Sequence, residues 1–258
     1  MLGVNGLARI PKMTQQFAIM THLLYVVIMR LNRYDMLFAA VLVLIFLPFF
    51  LIRPLYEAYE SFNSAHGMLM SFIKFAVLST LGEMLGARIS RGRYCPPGFG
   101  VVPKMIVWGI LGMGINMAMI IFSNGVPAFL EYMGYGSAGA DFAGNLSWGK
   151  VLVAFCVSVA MNSIFAPVFM TLHKITDIHI SDNGGSLKAL ARPIPMAKVF
   201  SRIDWNAQWG FVFKKTIPFF WFPAHTVTFL LPQSARPLFA ALLGVVLGVL
   251  LAVAGRKK

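Results

Sequence analysis

Chemistry in this 258-residue chain has to come from few side chains, because only 12% of them are charged. The first candidate is Glu83, which lies inside the apolar run MLMSFIKFAVLSTLGEMLGA. No other carboxylate of the chain sits so far within an apolar run. A charge in lipid costs roughly 2.5–3.5 kcal/mol on insertion scales, so it needs a partner, a proton or water. Two roles follow. Glu83 is either buried and paired within a bundle, or it lines a wet path for solute or protons. Lys74 is nine residues away. On a helix that is about 13–14 Å, on the opposite face, so the two do not pair. An arginine from a neighbouring loop is within reach. Asn116, Asn162, His225 and Thr228 lie on other apolar runs and are the polar groups that would share a cavity with Glu83.

The second candidate is HKITDIH, residues 173–179. His173 and Asp177 are four apart and share a helix face. His179 falls about 120° away around the helix. A metal site needs three converging ligands, with Asp182 as a further candidate. The plain alternative is a polar helix end at a membrane surface. Other patterns lack their partners. Residues 144–150, GNLSWGK, resemble a phosphate loop, but Val151 stands where a Ser or Thr would hold magnesium, and no strand precedes. Ser71 and Lys74 match Ser-x-x-Lys without its companion motifs. The two cysteines, Cys95 in a basic loop and Cys156 within a run, would lie at different depths and show no zinc or redox spacing. No cofactor and no catalytic residue is expected.

These residues must be positioned by helices in a membrane. The chain is 58% hydrophobic, and soluble domains usually carry about 25% charged residues. Its apolar runs do not alternate as barrel strands would. The expected fold is all-α, a polytopic transmembrane helix bundle of about six spans plus an N-terminal interfacial helix over 13–31. The spans are 34–56, 68–87, 101–122, 148–172, 216–232 and 237–254. Residues 1–60 form an N-terminal part and 61–258 a core. The net charge of +13 does not signal a nucleic-acid partner, because the basic residues cluster at the ends of apolar runs. Basic segments 88–104, 173–215 and the C-terminus alternate with acidic 57–67 and 123–147. That places the basic side in the cytoplasm or a matrix-like compartment. Residues 187–203 alternate apolar with basic, which suits an anionic lipid surface. Gly82/Gly86 and Gly244/Gly248 have GxxxG spacing, for helix packing within the chain or for a homo-oligomer face.

From Trp205 onward the chain resembles the Mpv-seventeen / 22-kDa peroxisomal membrane protein (Mpv/PMP) family. The resemblance rests on Trp205, Trp209 and the stretch PFFWFPAHTVTFLLPQSAR, with Trp221, Pro223, Phe229, Pro232 and Arg236. The chain departs from the family pattern where Phe222 intervenes between Trp221 and Pro223 and where Phe229 sits one residue closer to Pro232. Gly82-Glu83 stands at the family's Gly-Asp. Residues 109–122 are similar to its glycine-rich span, without the Pro and the His-Trp-Tyr. The resemblance implies an integral protein of a bacterial inner or organellar membrane, linked to passage of small solutes. It puts Glu83 at the family's membrane acid and Arg236 at its terminal arginine. The expected function is therefore a weakly selective channel or pore for small solutes, with lumen residues Glu83, Asn116, Asn162, His225 and Arg236. The alternatives are a membrane-embedded metal-dependent enzyme using His173, Asp177 and His179, or a membrane scaffold.

Overall fold

The computed structural model describes residues 32–255. The expected interfacial helix at 13–31 and the terminal residues 256–258 lie outside them. The described residues are helical with no strand. Two compact units divide between Ser61 and Phe62.

In the first unit, α1 (Arg33–Leu51) begins at a capping box. The Asn32 side chain accepts from the Tyr34 and Asp35 amides, and Asp35 accepts from the Asn32 amide. This satisfies donors that a helix start leaves open. None of its residues is buried within the chain. The expected run through Tyr56 breaks at Ile52, whose backbone is extended. A new helix, α2 (Arg53–Ala65), follows. The 57–67 segment, expected as an acidic loop, is thus mostly helix; Arg53 pairs with Glu57 one turn on, the spacing that supports a helix surface.

The second unit is a ring. Helices α3 (Gly67–Arg91), α4 (Val101–Tyr132) and α6 (Trp148–Asp182) are joined by a continuous segment of wide and regular helical turns and by α10 (Arg236–Gly255). That segment runs through α8 (Trp205–Ala207), a π-helix (Gln208–Trp221) and α9 (Phe222–Leu230). Around the ring, α3 packs on α4, α4 on α6, α6 on α9, α9 on α10 and α10 back on α3. Small helices α5 (Ala138–Ala143) and α7 (Met196–Ser201) cap the ends. Helix α3 stops at Gly92, φ 75°, a conformation glycine adopts without strain. Gly109 and Gly112 of α4 lie under the Phe72 and Phe75 rings of α3, where any Cβ would overlap them.

Four helices, α1, α3, α4 and α6, are long and apolar enough to cross a membrane. Helices α4 and α6 have 32 and 35 residues, longer than the spans expected from their apolar stretches. The helical period carries on through polar residues once neighbouring helices cover them. The basic segment 173–215 is likewise not one surface strip. Its first ten residues complete α6, and Val199 and Ile203 bury against Ile175 of that helix. Leu190, Met196 and Phe200 remain exposed beside Lys188, Arg192 and Lys198. The two GxxxG motifs meet each other. A Cβ on Gly82 would lie 3.1 Å from the Val245 backbone, and one on Gly86 3.7 Å from the Gly248 carbonyl. Gly82, Gly86 and Gly248, expected to serve packing or a homo-oligomer, lie in the α3–α10 crossing, whereas a Cβ on Gly244 would meet nothing within 4 Å.

Candidate functional site: a cavity on the axis of the ring

A cavity of about 640 Å³ lies inside the ring and takes lining residues from all five of its segments. Its mouth is at the end where α3 stops, α4 starts and α6 stops. Two glycine turns fasten this end. Gly100 (φ 69°) and Gly185 (φ 72°) approach so closely that a Cβ on Gly100 would sit 2.8 Å from Gly185 Cα. Positive φ and backbone contact both require glycine there.

Glu83 sits just inside the mouth and is fully paired. Its Oε1 accepts from Trp108 Nε1 and His173 Nε2, each at 2.8 Å, and its Oε2 from Lys104 Nζ at 2.5 Å. Lys104 also pairs with Asp177. The network joins α3 through Glu83, α4 through Lys104 and Trp108, and α6 through His173 and Asp177. The Trp108 and His173 rings pack at 4.4 Å between centroids, and Lys104 lies 5.0 Å from the Phe99 ring centroid. The partner of Glu83 is therefore not the loop arginine expected. It is a lysine in the first turn of α4, aimed back along the helix. Lys74 bonds Asn63 at 2.6 Å, away from this site.

Further in, Asn162, His225 and Trp221 line the cavity. Asn162 Nδ2 donates to the Ser158 carbonyl at 2.8 Å and meets His225 Nδ1 at 3.1 Å. Ser158 Oγ donates to the Phe222 carbonyl at 2.8 Å, tying α6 to the join of the π-helix and α9. Two buried nitrogens of the cavity-wall residues, Trp221 Nε1 and His225 Nε2, have no hydrogen-bond partner among the described residues.

A second cavity, about 570 Å³, opens at the opposite end between α4, α5, α6, α9 and α10. Arg236 lines it. Its guanidinium donates to the Leu231 and Phe229 carbonyls at 3.1 and 3.2 Å and lies over the Phe142 and Phe229 rings. It thereby ties the 231–235 turn together. In the nearby loop, the Tyr135 hydroxyl bonds Asp141 at 2.7 Å. That bond, with a second from Ser137, lowers the Asp141 carboxyl below its usual range and raises the Tyr135 phenol.

The two cavities share no residue. Between them lies a packed waist of Met119, Val157, Thr228, Phe229 and Ala241, each at most 2% exposed. On α4 the step from Ile115 to Ser123, and on α6 from Met161 to Lys150, corresponds to about 12–16 Å along the helix axes.

Of the lumen residues expected from sequence, Glu83, Asn162 and His225 come together in the first cavity and Arg236 lies in the second. Asn116 lines neither. Its amide turns to the Gly67 carbonyl at the start of α3, at 3.4 Å. The expected metal cluster does not form. His173 bonds Glu83 and Asp177 pairs with Lys104, while His179 is turned away and bonded to the Ala189 carbonyl at 3.0 Å. Among the described residues no three His, Cys, Asp or Glu side chains converge. The phosphate-loop look-alike is a helix start, with Ser147 Oγ accepting from the Lys150 amide at 3.1 Å. Trp108 and Trp221 went unread as site residues, because nothing in a lone tryptophan of an apolar run marks it as facing a cavity.

Comparison with protein-family models, with curated proteins and with solved structures finds no match.

Proposed function

We propose that the protein is a multi-pass integral membrane protein that passes small solutes along the axis of its helical ring. The carrying observation is the pair of cavities at opposite ends of one ring, separated by a packed waist. Four membrane-length helices support the membrane setting. A cavity in the range typical of small-molecule sites, built from every segment of the ring, supports the solute. In this reading the described form is closed at Phe229 and open at the basic end. The Glu83–Lys104–Asp177–His173 network clasps α3, α4 and α6 at the mouth. Irregular backbone at membrane depth fits where it borders a cavity, which suits the π-helix beside Trp221. The likeness to the Mpv/PMP family, carried by Trp221, Phe229, Pro232 and Arg236, points the same way. The basic side faces the cytoplasm or matrix, and the exposed Leu190, Met196 and Phe200 among Lys188, Arg192 and Lys198 meet an anionic lipid surface there.

The test is glycerol flux into liposomes holding the purified protein. Flux above protein-free vesicles is expected, with a several-fold rise for Phe229→Ala, which thins the waist. Equal flux in protein-containing and empty vesicles, for the wild type and Phe229→Ala alike, would sink the proposal.

A further inference from the structure

We propose that the inner cavity holds a long-chain fatty acid anion, its chain along the axis of the ring and its carboxylate at Arg91 and Lys174. This goes beyond solute passage and holds whether or not the axis conducts.

The walls set the chemistry. Phe75, Phe165, Phe169, Met170, Val212 and Leu247 make the lining largely apolar. Its charged side chains, Glu83, Arg91, Lys104, Lys174 and Asp177, lie at or just inside the mouth. Both acids are already engaged, Glu83 by three donors and Asp177 by Lys104. Arg91 and Lys174 are exposed and meet no carboxylate among the described residues. An apolar depth under an unbalanced positive entrance fits an amphiphile with an anionic head.

The dimensions fit one chain. The lining residues of α10 run from Ala240 to Ala252, about 18 Å along the helix, and those of α3 from Phe75 to Arg91, about 24 Å. An acyl chain of one leaflet covers about half of the roughly 30 Å hydrocarbon core. A volume of about 640 Å³ suits a single ligand of drug size, hence one chain rather than the two of a phospholipid. Gly244 adds room, because it lines the cavity and a Cβ there would meet nothing within 4 Å.

Access comes from the bilayer. Gln208 and Val212 of the π-helix and Leu247 and Ala252 of α10 line the same cavity. The π-helix packs on α6 and α9 but has no comparable packing on α10. On this side the ring closes only where α9 meets α10, toward the waist, and a seam is left nearer the mouth. Trp209, Phe211, Val246 and Leu250 are exposed on the two elements of the seam, which therefore border hydrocarbon. A chain enters sideways while its carboxylate stays at the interface with Arg91 and Lys174, where cations attract anionic heads. Filling the space recovers dispersion contacts that an empty apolar void forfeits.

The experiment uses palmitate with a photoreactive diazirine in its chain and the purified protein in phosphatidylcholine vesicles. The pH is about 9, so that a carboxyl raised by its lipid surroundings stays ionised. Mass spectrometry after irradiation should find label on Phe165 and Leu247. Unlabelled palmitate should displace it at least about tenfold better than hexadecanol or phosphatidylglycerol. Gly244→Phe fills the open space on α10 and should cut cavity labelling at least about fivefold, while labelling of the exposed face of α1 stays constant. Arg91→Gln with Lys174→Gln, both at exposed positions, should remove most of the advantage of palmitate over hexadecanol, each cation being worth about fivefold. Cavity residues labelled no more than α1 would overturn the inference. So would cavity labelling that Gly244→Phe leaves unchanged, displacement by hexadecanol or phosphatidylglycerol as effective as by palmitate, or a palmitate advantage that survives loss of both cations. Glycerol flux in the same vesicles is read separately, so failure of the fatty acid site and failure of solute passage are told apart.

Discussion

Replacing Lys104 with methionine tests the clasp most directly. The lysine side chain is 8% exposed and lies against Glu83, at 22%, and Asp177, at 33%. Removing one partner of a buried pair typically costs about 3–5 kcal/mol, because a charge is left without compensation. Glu83 keeps the Trp108 and His173 donors at 2.8 Å, which puts the expected loss at the lower end, about 3 kcal/mol. Asp177 is a third exposed, so its share is no more than about 1 kcal/mol, as for a surface pair. Equilibrium unfolding in mixed micelles, followed by tryptophan fluorescence, reads the change. The double variant with Glu83→Gln isolates the coupling. It should recover about 2 kcal/mol relative to the sum of the single losses, within the range seen for residues in contact. A Lys104→Met loss under about 0.5 kcal/mol, or single losses that simply add, would refute the buried network as described.

Three further outcomes are expected. Gly112→Val forces a side chain into the Phe75 ring, and the same unfolding assay should show a loss of about 1–3 kcal/mol, as overpacking a core does. Asn162→Leu removes the bonds to the Ser158 carbonyl and His225 Nδ1 and should cost about 1–3 kcal/mol, with the sharper sign that nitrogen chemical shifts report the His225 tautomer becoming mixed. In the 133–147 loop, Asp141 is held below its usual range chiefly by the Tyr135 hydroxyl. The contact therefore stabilises the loop above the ordinary carboxylate pKa of about 3.9 and is lost as pH falls through the lowered value. The raised Tyr135 phenol sets the opposite limit, its contribution ending as pH climbs past its folded value. Tyr135→Phe should move the Asp141 titration upward toward the ordinary value, read by carbon NMR of the labelled carboxyl; an unmoved titration would discount the bond.

Sequence alone determined what any arrangement of this chain must satisfy. Low charge content and long apolar runs call for helices long enough to cross a membrane, since an apolar run in a membrane satisfies its backbone groups only within a helix or a closed barrel. The isolation of Glu83 demanded a partner, and spacing excluded Lys74. The shared face of His173 and Asp177 was legible because it depends only on the helical period. The tertiary structure decided what those constraints left open. Which cation reaches Glu83 depends on how α4 crosses α3, and Lys104 lies where the expected basic segment 88–104 overlaps the expected span 101–122. Whether His179 joins His173 depends on the turn after α6, which offers it the Ala189 carbonyl instead. Asn116 and Asn162 are equivalent as sequence, both amides in apolar runs. One turns to a helix start and the other to an imidazole, because neighbours, not composition, set the face each presents. The cavity itself belongs to no single segment: it exists only because five helical segments close a ring.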